Sequence, residues 1–123
     1  MAKLFISYRR VTWAFTHRLA ERLEQLLDAQ IFVDFKGVDE SNFEHAILRN
    51  LRESDAFLLI VTPETFDPQR INRADDWVRR EIREALTQEK PIALALYEGT
   101  APPPDEKLPE DIRDITKRQG APF

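Results

Sequence analysis

The segment Ala56–Val61, Ala-Phe-Leu-Leu-Ile-Val, is apolar at every position. A strand with one face in water alternates apolar and polar side chains, so a strand without alternation must be covered on both faces. Such a strand belongs in the middle of a parallel sheet, and parallel neighbours need crossover helices. The rest of the chain supplies both. Leu4-Phe5-Ile6 reads as a buried strand ending at Ser7-Tyr8, and Ile31-Phe32-Val33 as a second, stopped by Asp34. Pro91 opens a fourth strand from Ile92 to Tyr97, and Gln119 to Phe123 is at most a fifth. Helical stripes lie between them. The first is Phe15, Leu19, Leu23, Leu26 and Leu27, after Thr12 or a neighbour. The second is Phe43, Ala46, Ile47 and Leu51, entered through a capping box of Ser41 and Glu44. The third is Val78, Ile82, Ala85 and Leu86, opened by Asp75 and Asp76 where the helix dipole favours negative charge.

The connections fit the same plan. Phe35 to Asn42, with Gly37, is a polar loop, and Thr62 to Ala74, with Pro63 and Pro68, is a long one. Pro102-Pro103-Pro104 stiffens another, and Pro109 to Ile112 looks like one helical turn. The pattern predicts an α/β fold: a flavodoxin-like, doubly wound, parallel five-stranded sheet in the order 2-1-3-4-5, with helices on both faces. The helix that would cover one face after the fifth strand is absent, so either a surface stays bare or residues 1–123 are one domain cut from a longer protein. In this topology ligands bind beyond the carboxyl ends of the strands, where the order reverses. That edge collects Ser7, Tyr8, Arg9, Arg10, Asp34, Thr62 and Pro63, and the helix opened by Asp76 approaches it.

Several chemistries are excluded. There is no cysteine, so disulfides, thiol catalysis and zinc thiolates are ruled out. His17 and His45 have no carboxylate spacing that suggests a metal, and both read as structural or solvated. The three glycines make no phosphate loop or dinucleotide fingerprint, and no nucleophile elbow surrounds Ser7. Acidic residues expected of a phosphoacceptor after strand 1 are replaced by Ser7-Tyr8-Arg9-Arg10. The formal charge of −4 argues against broad attraction to nucleic acid or anionic membrane, although Arg9-Arg10 and Arg79-Arg80 suit local phosphates. No apolar run approaches the ~20 residues that span a bilayer, and the first residues do not form a signal peptide, which makes a cytoplasmic location the default expectation.

What remains is one favoured acid, a pair of arginines and several aromatics. Glu81 and Trp77 are one turn apart on the flank of their helix stripe, where an acid facing a cleft would be partly desolvated. An ordinary amphipathic helix with a boundary Trp and a solvated Glu fits the same spacing. Arg9 and Arg10 suit a phosphate or carboxylate, or local carbonyls and acids. Tyr8, Trp77 and Phe43 suit either a flat heterocycle or core-edge packing. Asp34 and Asp39 suit the site or plain turn chemistry.

Taken together, these segments resemble a TIR (Toll/interleukin-1 receptor) domain. Phe5-Ile6-Ser7-Tyr8-Arg9-Arg10 resembles the family's first box. Phe32-Val33-Asp34 through Phe43-Glu44 resembles its second strand and the loop after it, and Phe57 to Pro63 its third strand. Asp76-Trp77-Val78-Arg79-Arg80-Glu81-Ile82 resembles the Trp-x-x-x-Glu motif of NAD-cleaving members, which include bacterial antiphage proteins and the animal axon-degeneration NADase. The loop Lys36 to Asn42 departs from many members in lacking Pro and a later Gly.

The resemblance implies an NAD⁺ glycohydrolase that releases nicotinamide and either ADP-ribose or a cyclic variant, with NAD⁺ as substrate rather than cofactor and no metal. It implies Glu81 as the catalytic carboxylate. Trp77, Tyr8, Arg9 and Arg10 would line the cleft, with Asp34, Asp39 and Phe43 near it. The implied partners are other TIR domains in a homo-oligomer or filament, and a C-terminal sensor domain in the full-length protein, in immune or antiphage signalling. Neither nucleic acid nor membrane is expected as a partner. A non-enzymatic adaptor acting through TIR–TIR contacts is the alternative.

Overall fold

A computed structural model of the chain describes residues 2–33 and 40–122, with the side chains of 40–45 outside the description. Five strands, β1 (Lys3–Ser7), β2 (Gln30–Val33), β3 (Ala56–Val61), β4 (Ile92–Leu96) and β5 (Gln119–Pro122), form one sheet in the order β2-β1-β3-β4-β5. Every pairing is parallel. Four α-helices connect them: α1 (Trp13–Leu27), α2 (Glu40–Glu53), α3 (Pro68–Ile71) and α4 (Trp77–Thr87). The flavodoxin-like order is the one predicted.

Strand periodicity divides the core in two. Phe5, Phe57, Leu59, Val61 and Leu94 face α2, α3 and α4, where Ile47, Leu51, Ile71, Val78, Ile82 and Ala85 meet them. The rings of Phe5 and Phe57 stack at 5.8 Å between centroids, and Phe32 continues the stack from β2. Ile6, Val33 and Ile60 face the other way, onto Ala20 and the partly buried Leu19 and Leu23 of α1. β3 is thus covered on both sides, which is why it tolerates no polar residue.

Four expectations are corrected. The buried residues of α1 are Thr16 and Ala20, while Leu26 and Leu27 are 69% and 57% exposed. The last turn of α1 lies outside both buried clusters, so these two side chains stay in water. α2 begins at Glu40, so Ser41 sits inside the first turn and cannot be its N-cap. The loop from Thr62 to Ala74 contains α3, capped by Asp67, whose side chain accepts a hydrogen bond from the Gln69 amide at 3.1 Å. The single turn at Pro109 extends into a 3-10 helix, Glu110–Lys117, that buries Ile112 and Ile115 against the α4 side of the sheet. Arg79 and Arg83 of α4 both pair with Asp111 of that helix. Among the described residues no helix is long and apolar enough to cross a membrane.

If the Glu110–Lys117 segment is core, truncating it costs core energy. Ile112→Ala is expected to lower unfolding stability by about 3 kcal/mol, while Leu26→Ala changes it by less than about 0.5 kcal/mol. Urea denaturation of the two variants checks this, and equal midpoints would contradict the assignment.

Candidate active site

β1 carries the site because its alternation continues past the apolar residues. Phe5 faces α4, so Ser7 and Arg9 leave the strand end on the same side. Ser7 is buried, and its hydroxyl donates to Glu81 Oε1 at 2.8 Å. Glu81, on the second turn of α4, is only 3% exposed. It lies deeper than the flank position expected from helix spacing, because the end of β1 packs against it through Ser7. A carboxylate taken this far from water needs donors, and the Ser7 hydroxyl is one of them.

Arg9 is 5% exposed and is held by two elements. Its Nε and one terminal nitrogen donate to the Thr65 carbonyl at 3.1 and 2.7 Å. The terminal nitrogens also reach both oxygens of Asp76, at 2.6 and 3.1 Å. Asp76 in turn caps α4, accepting from the Arg79 amide at 3.1 Å. Thr65 is fixed from its other end: its hydroxyl donates to the Ile60 carbonyl at 3.0 Å and accepts from the Thr62 amide at 2.8 Å. One guanidinium therefore joins the ends of β1 and β3 to the start of α4.

A cleft of about 410 Å³ opens beside this junction, with Glu81, Trp77, Tyr8 and Arg9 along its inner side. Arg10 lines it from the 3-10 turn after β1, and Arg70, Arg73 and Asp75 line it from the segment before α4. Trp77 is half-buried, with the Arg80 guanidinium 4.4 Å above its ring. Tyr8 is buried in the cluster on the α1 side and also lines the cleft.

Five of the eight residues singled out in the sequence, Glu81, Trp77, Tyr8, Arg9 and Arg10, thus come together at one cleft. Arg9 spends its donors on the protein itself. Asp34 and Asp39 lie outside the described residues, as does the Phe43 side chain. Arg79, which had looked suited to a phosphate, turns away from the cleft to Asp111 and the Asn72 carbonyl. His17 packs edge-on against Trp13 at 4.8 Å. Among the described residues no cluster of His, Asp or Glu suits a metal ion. Ser7 was placed at the ligand edge without a role, and Arg70 and Arg73 were not among the candidates. Period-two counting from Phe5 points Ser7 at α4, but nothing local in Thr62–Ala74 signals that Arg70 and Arg73 reach the cleft.

A family model described as a TIR domain matches residues 4–122. The chain belongs to the TIR family. This TIR domain is 33% identical over 122 residues to NAD(+) hydrolase tir-1 of Caenorhabditis elegans, covering 95% of this chain and 12% of that protein. It is 31% identical over 119 residues to NAD(+) hydrolase sarm1 of Drosophila melanogaster, covering 95% and 9%. The chain therefore spans about a tenth of the length of these relatives. Among solved structures, a 2-desoxiribosyltransferase from Leishmania mexicana superposes with a TM-score of 0.63 at 14% identity, covering 91% of this chain and 77% of that one. At that identity the likeness is one of fold.

The TIR domain depends on the Arg9 junction for the placing of α4. Arg9→Ala leaves Asp76 buried without its partner, and is expected to cost about 3 kcal/mol. Arg9→Lys should recover only part of this, since a single ammonium cannot fork to both Thr65 and Asp76. Thermal unfolding of the two variants checks the order, and a Lys variant as stable as the parent would contradict it.

Proposed function

We propose that this TIR domain is an NAD⁺ nucleosidase that hydrolyses the nicotinamide–ribosyl bond. The observation that carries the reading is Glu81: a buried carboxylate held by the Ser7 hydroxyl at 2.8 Å, in a cleft lined by an aromatic and by arginines. The names of the relatives, NAD(+) hydrolases, support it.

The chemistry suits a single acid. The bond to be broken joins a cationic pyridinium to ribose, so its electron pair leaves with nicotinamide, which departs neutral without a proton. The paired carboxylates of O-glycoside hydrolysis are not required. One carboxylate stabilises the developing oxocarbenium charge and holds the ribose hydroxyls. Water then adds to the anomeric carbon and loses a proton, giving ADP-ribose; attack by the substrate's own adenine instead gives a cyclic product. Burial strengthens the attraction between Glu81 and that charge, because little water screens it. The Ser7 hydroxyl fixes the carboxylate's orientation, which lowers the reorganisation needed when charge appears. Trp77 offers a ring face beside the acid on which a flat heterocycle can stack.

In this reading the domain works by self-assembly with other TIR domains, in immune or antiphage signalling inside the cell, under control of a sensor domain in the full-length protein. A second reading, a TIR adaptor without catalysis, is disfavoured by the burial of Glu81, since TIR–TIR docking has no use for a desolvated carboxylate behind a cleft.

Nicotinamide release from NAD⁺, followed by chromatography with and without a crowding agent, tests the reading. Activity should rise more steeply than protein concentration. Glu81→Gln should reduce turnover at least about 1,000-fold, a loss expected for an electrostatic stabiliser of the transition state, with an unchanged circular dichroism spectrum. Ser7→Ala should keep the fold and lower kcat about tenfold. Wild-type rates in Glu81→Gln would end the enzymatic assignment.

A further inference from the structure

We propose that Arg70, with Arg10, forms a diphosphate subsite, so that the cleft takes dinucleotides in preference to the corresponding mononucleotide or nucleoside. The proposal rests on the reading of this cleft as an NAD⁺ site and deepens it.

The argument begins with charge. The chain as a whole carries −4, yet the cleft is lined by four arginines against three carboxylates. Two of the arginines are paired with two of the carboxylates. Arg9 and Asp76 satisfy each other in the buried junction. Arg73 meets Asp75 at 3.4 Å, with both side chains largely exposed, and such a pair is weak and easily exchanged for another anion. This leaves Glu81 on the inner side and Arg10 and Arg70 at the rim. Among the described residues, neither rim guanidinium makes a side-chain hydrogen bond or an ion pair. Their donors are available to a ligand, in the forked geometry that suits phosphate oxygens.

The polarity of the cleft therefore runs from a buried carboxylate to exposed guanidiniums. A nicotinamide dinucleotide has the matching polarity: a cationic pyridinium riboside at one end, followed by an anionic diphosphate. Placing the glycosidic carbon at Glu81 sends the diphosphate toward the rim, and complementary potentials of this kind fix orientation. The mononucleotide has a single phosphate and the riboside has none.

The platform under Arg70 is rigid. Arg70 lies in α3, whose next residue, Ile71, is buried in the core. Asp67 caps the helix, and Arg79 donates to the Asn72 carbonyl just beyond it at 3.0 Å. Arg73 follows in the turn after it, its amide donating to the Arg70 carbonyl at 3.0 Å, and lines the same cleft. The backbone that carries Arg70 is already ordered, so binding has to fix only the side chain, which limits the entropic cost.

Two measurements test the subsite, one of which needs no turnover. The first compares kcat and KM of wild type, Arg70→Ala and Arg70→Lys on NAD⁺, nicotinamide mononucleotide and nicotinamide riboside. Arg70→Ala should raise KM for NAD⁺ about tenfold, as expected for a lost charge-assisted hydrogen bond. Its kcat should stay within about twofold, and its kcat/KM on the riboside should match wild type. Arg70→Lys should recover part of the KM. An equal loss on all three substrates, or none on NAD⁺, overturns the proposal. The second titrates ADP-ribose and adenosine into Glu81→Gln and into Glu81→Gln with Arg70→Ala, by calorimetry. The second substitution should weaken ADP-ribose about tenfold and leave adenosine unchanged. Equal ADP-ribose affinity in the two proteins, or none in either, overturns the subsite. If wild type releases no nicotinamide but Arg70 still controls ADP-ribose affinity, the hydrolase reading falls and the subsite stands.

Discussion

The site is organised by one buried guanidinium. Removing Arg9 from water is costly, and the chain recovers that cost only by delivering the Thr65 carbonyl and the Asp76 carboxylate to a single fork. Each partner is already committed elsewhere. Thr65 closes the turn after β3 through its hydroxyl, and Asp76 caps α4. The start of α4 therefore cannot shift along the sheet edge without stranding a charge. Glu81 and Trp77 take their positions from that restraint. A buried ion pair contributes modestly to net stability compared with an apolar substitute; what it does is select one arrangement over neighbouring ones.

The same strand sets the polarity of the site. β1 sends Phe5, Ser7 and Arg9 to one side in succession, so its inward face changes from aromatic to hydroxyl to cation as it reaches the sheet edge. Apolar packing at Phe5 gives way to polar contacts where α4 meets the strand end. The result is a carboxylate that is buried yet hydrogen-bonded, bordering a cleft whose remaining unpaired charges are positive and exposed. On the proposed function, cleavage of a cationic glycoside with an anionic tail would use both ends of that gradient.

Much of this was legible beforehand and some was not. The unbroken apolar run at Ala56–Val61 placed β3 in the sheet centre, and alternation of strands with helical stripes gave the order of the sheet. The first-box residues and the Trp77–Glu81 pair met at one edge, as topology required. The α1 stripe misled because helical spacing records which residues share a face, not how much of that face is covered; Leu26 and Leu27 are exposed in the last turn. Ser41 misled because a capping box is a local pattern, and the helix already includes Glu40 before it. The segment Thr62–Ala74 looked like plain loop because four helical residues are too few for a period. The 3-10 helix after Pro109 was underestimated for a related reason, since it is held by burial of Ile112 and Ile115 and by Asp111 rather than by propensity.

The amino-acid sequence by itself determined the α/β class, the strand order, the family and the identity of the acid and aromatic on α4. These follow from hydrophobic periodicity and from short motifs, which are local properties of the chain. Only the tertiary structure decided how those residues are used. Ser7 and Glu81 are 74 positions apart, and Arg9 and Asp76 are 67 apart, so no local pattern records either contact. Hydrogen bonding is directional and short-ranged, and which donor meets which acceptor is settled when helices dock on the sheet. That docking turned Arg9 from a candidate ligand contact into the tie that positions α4, and it left Arg10 and Arg70 facing the cleft.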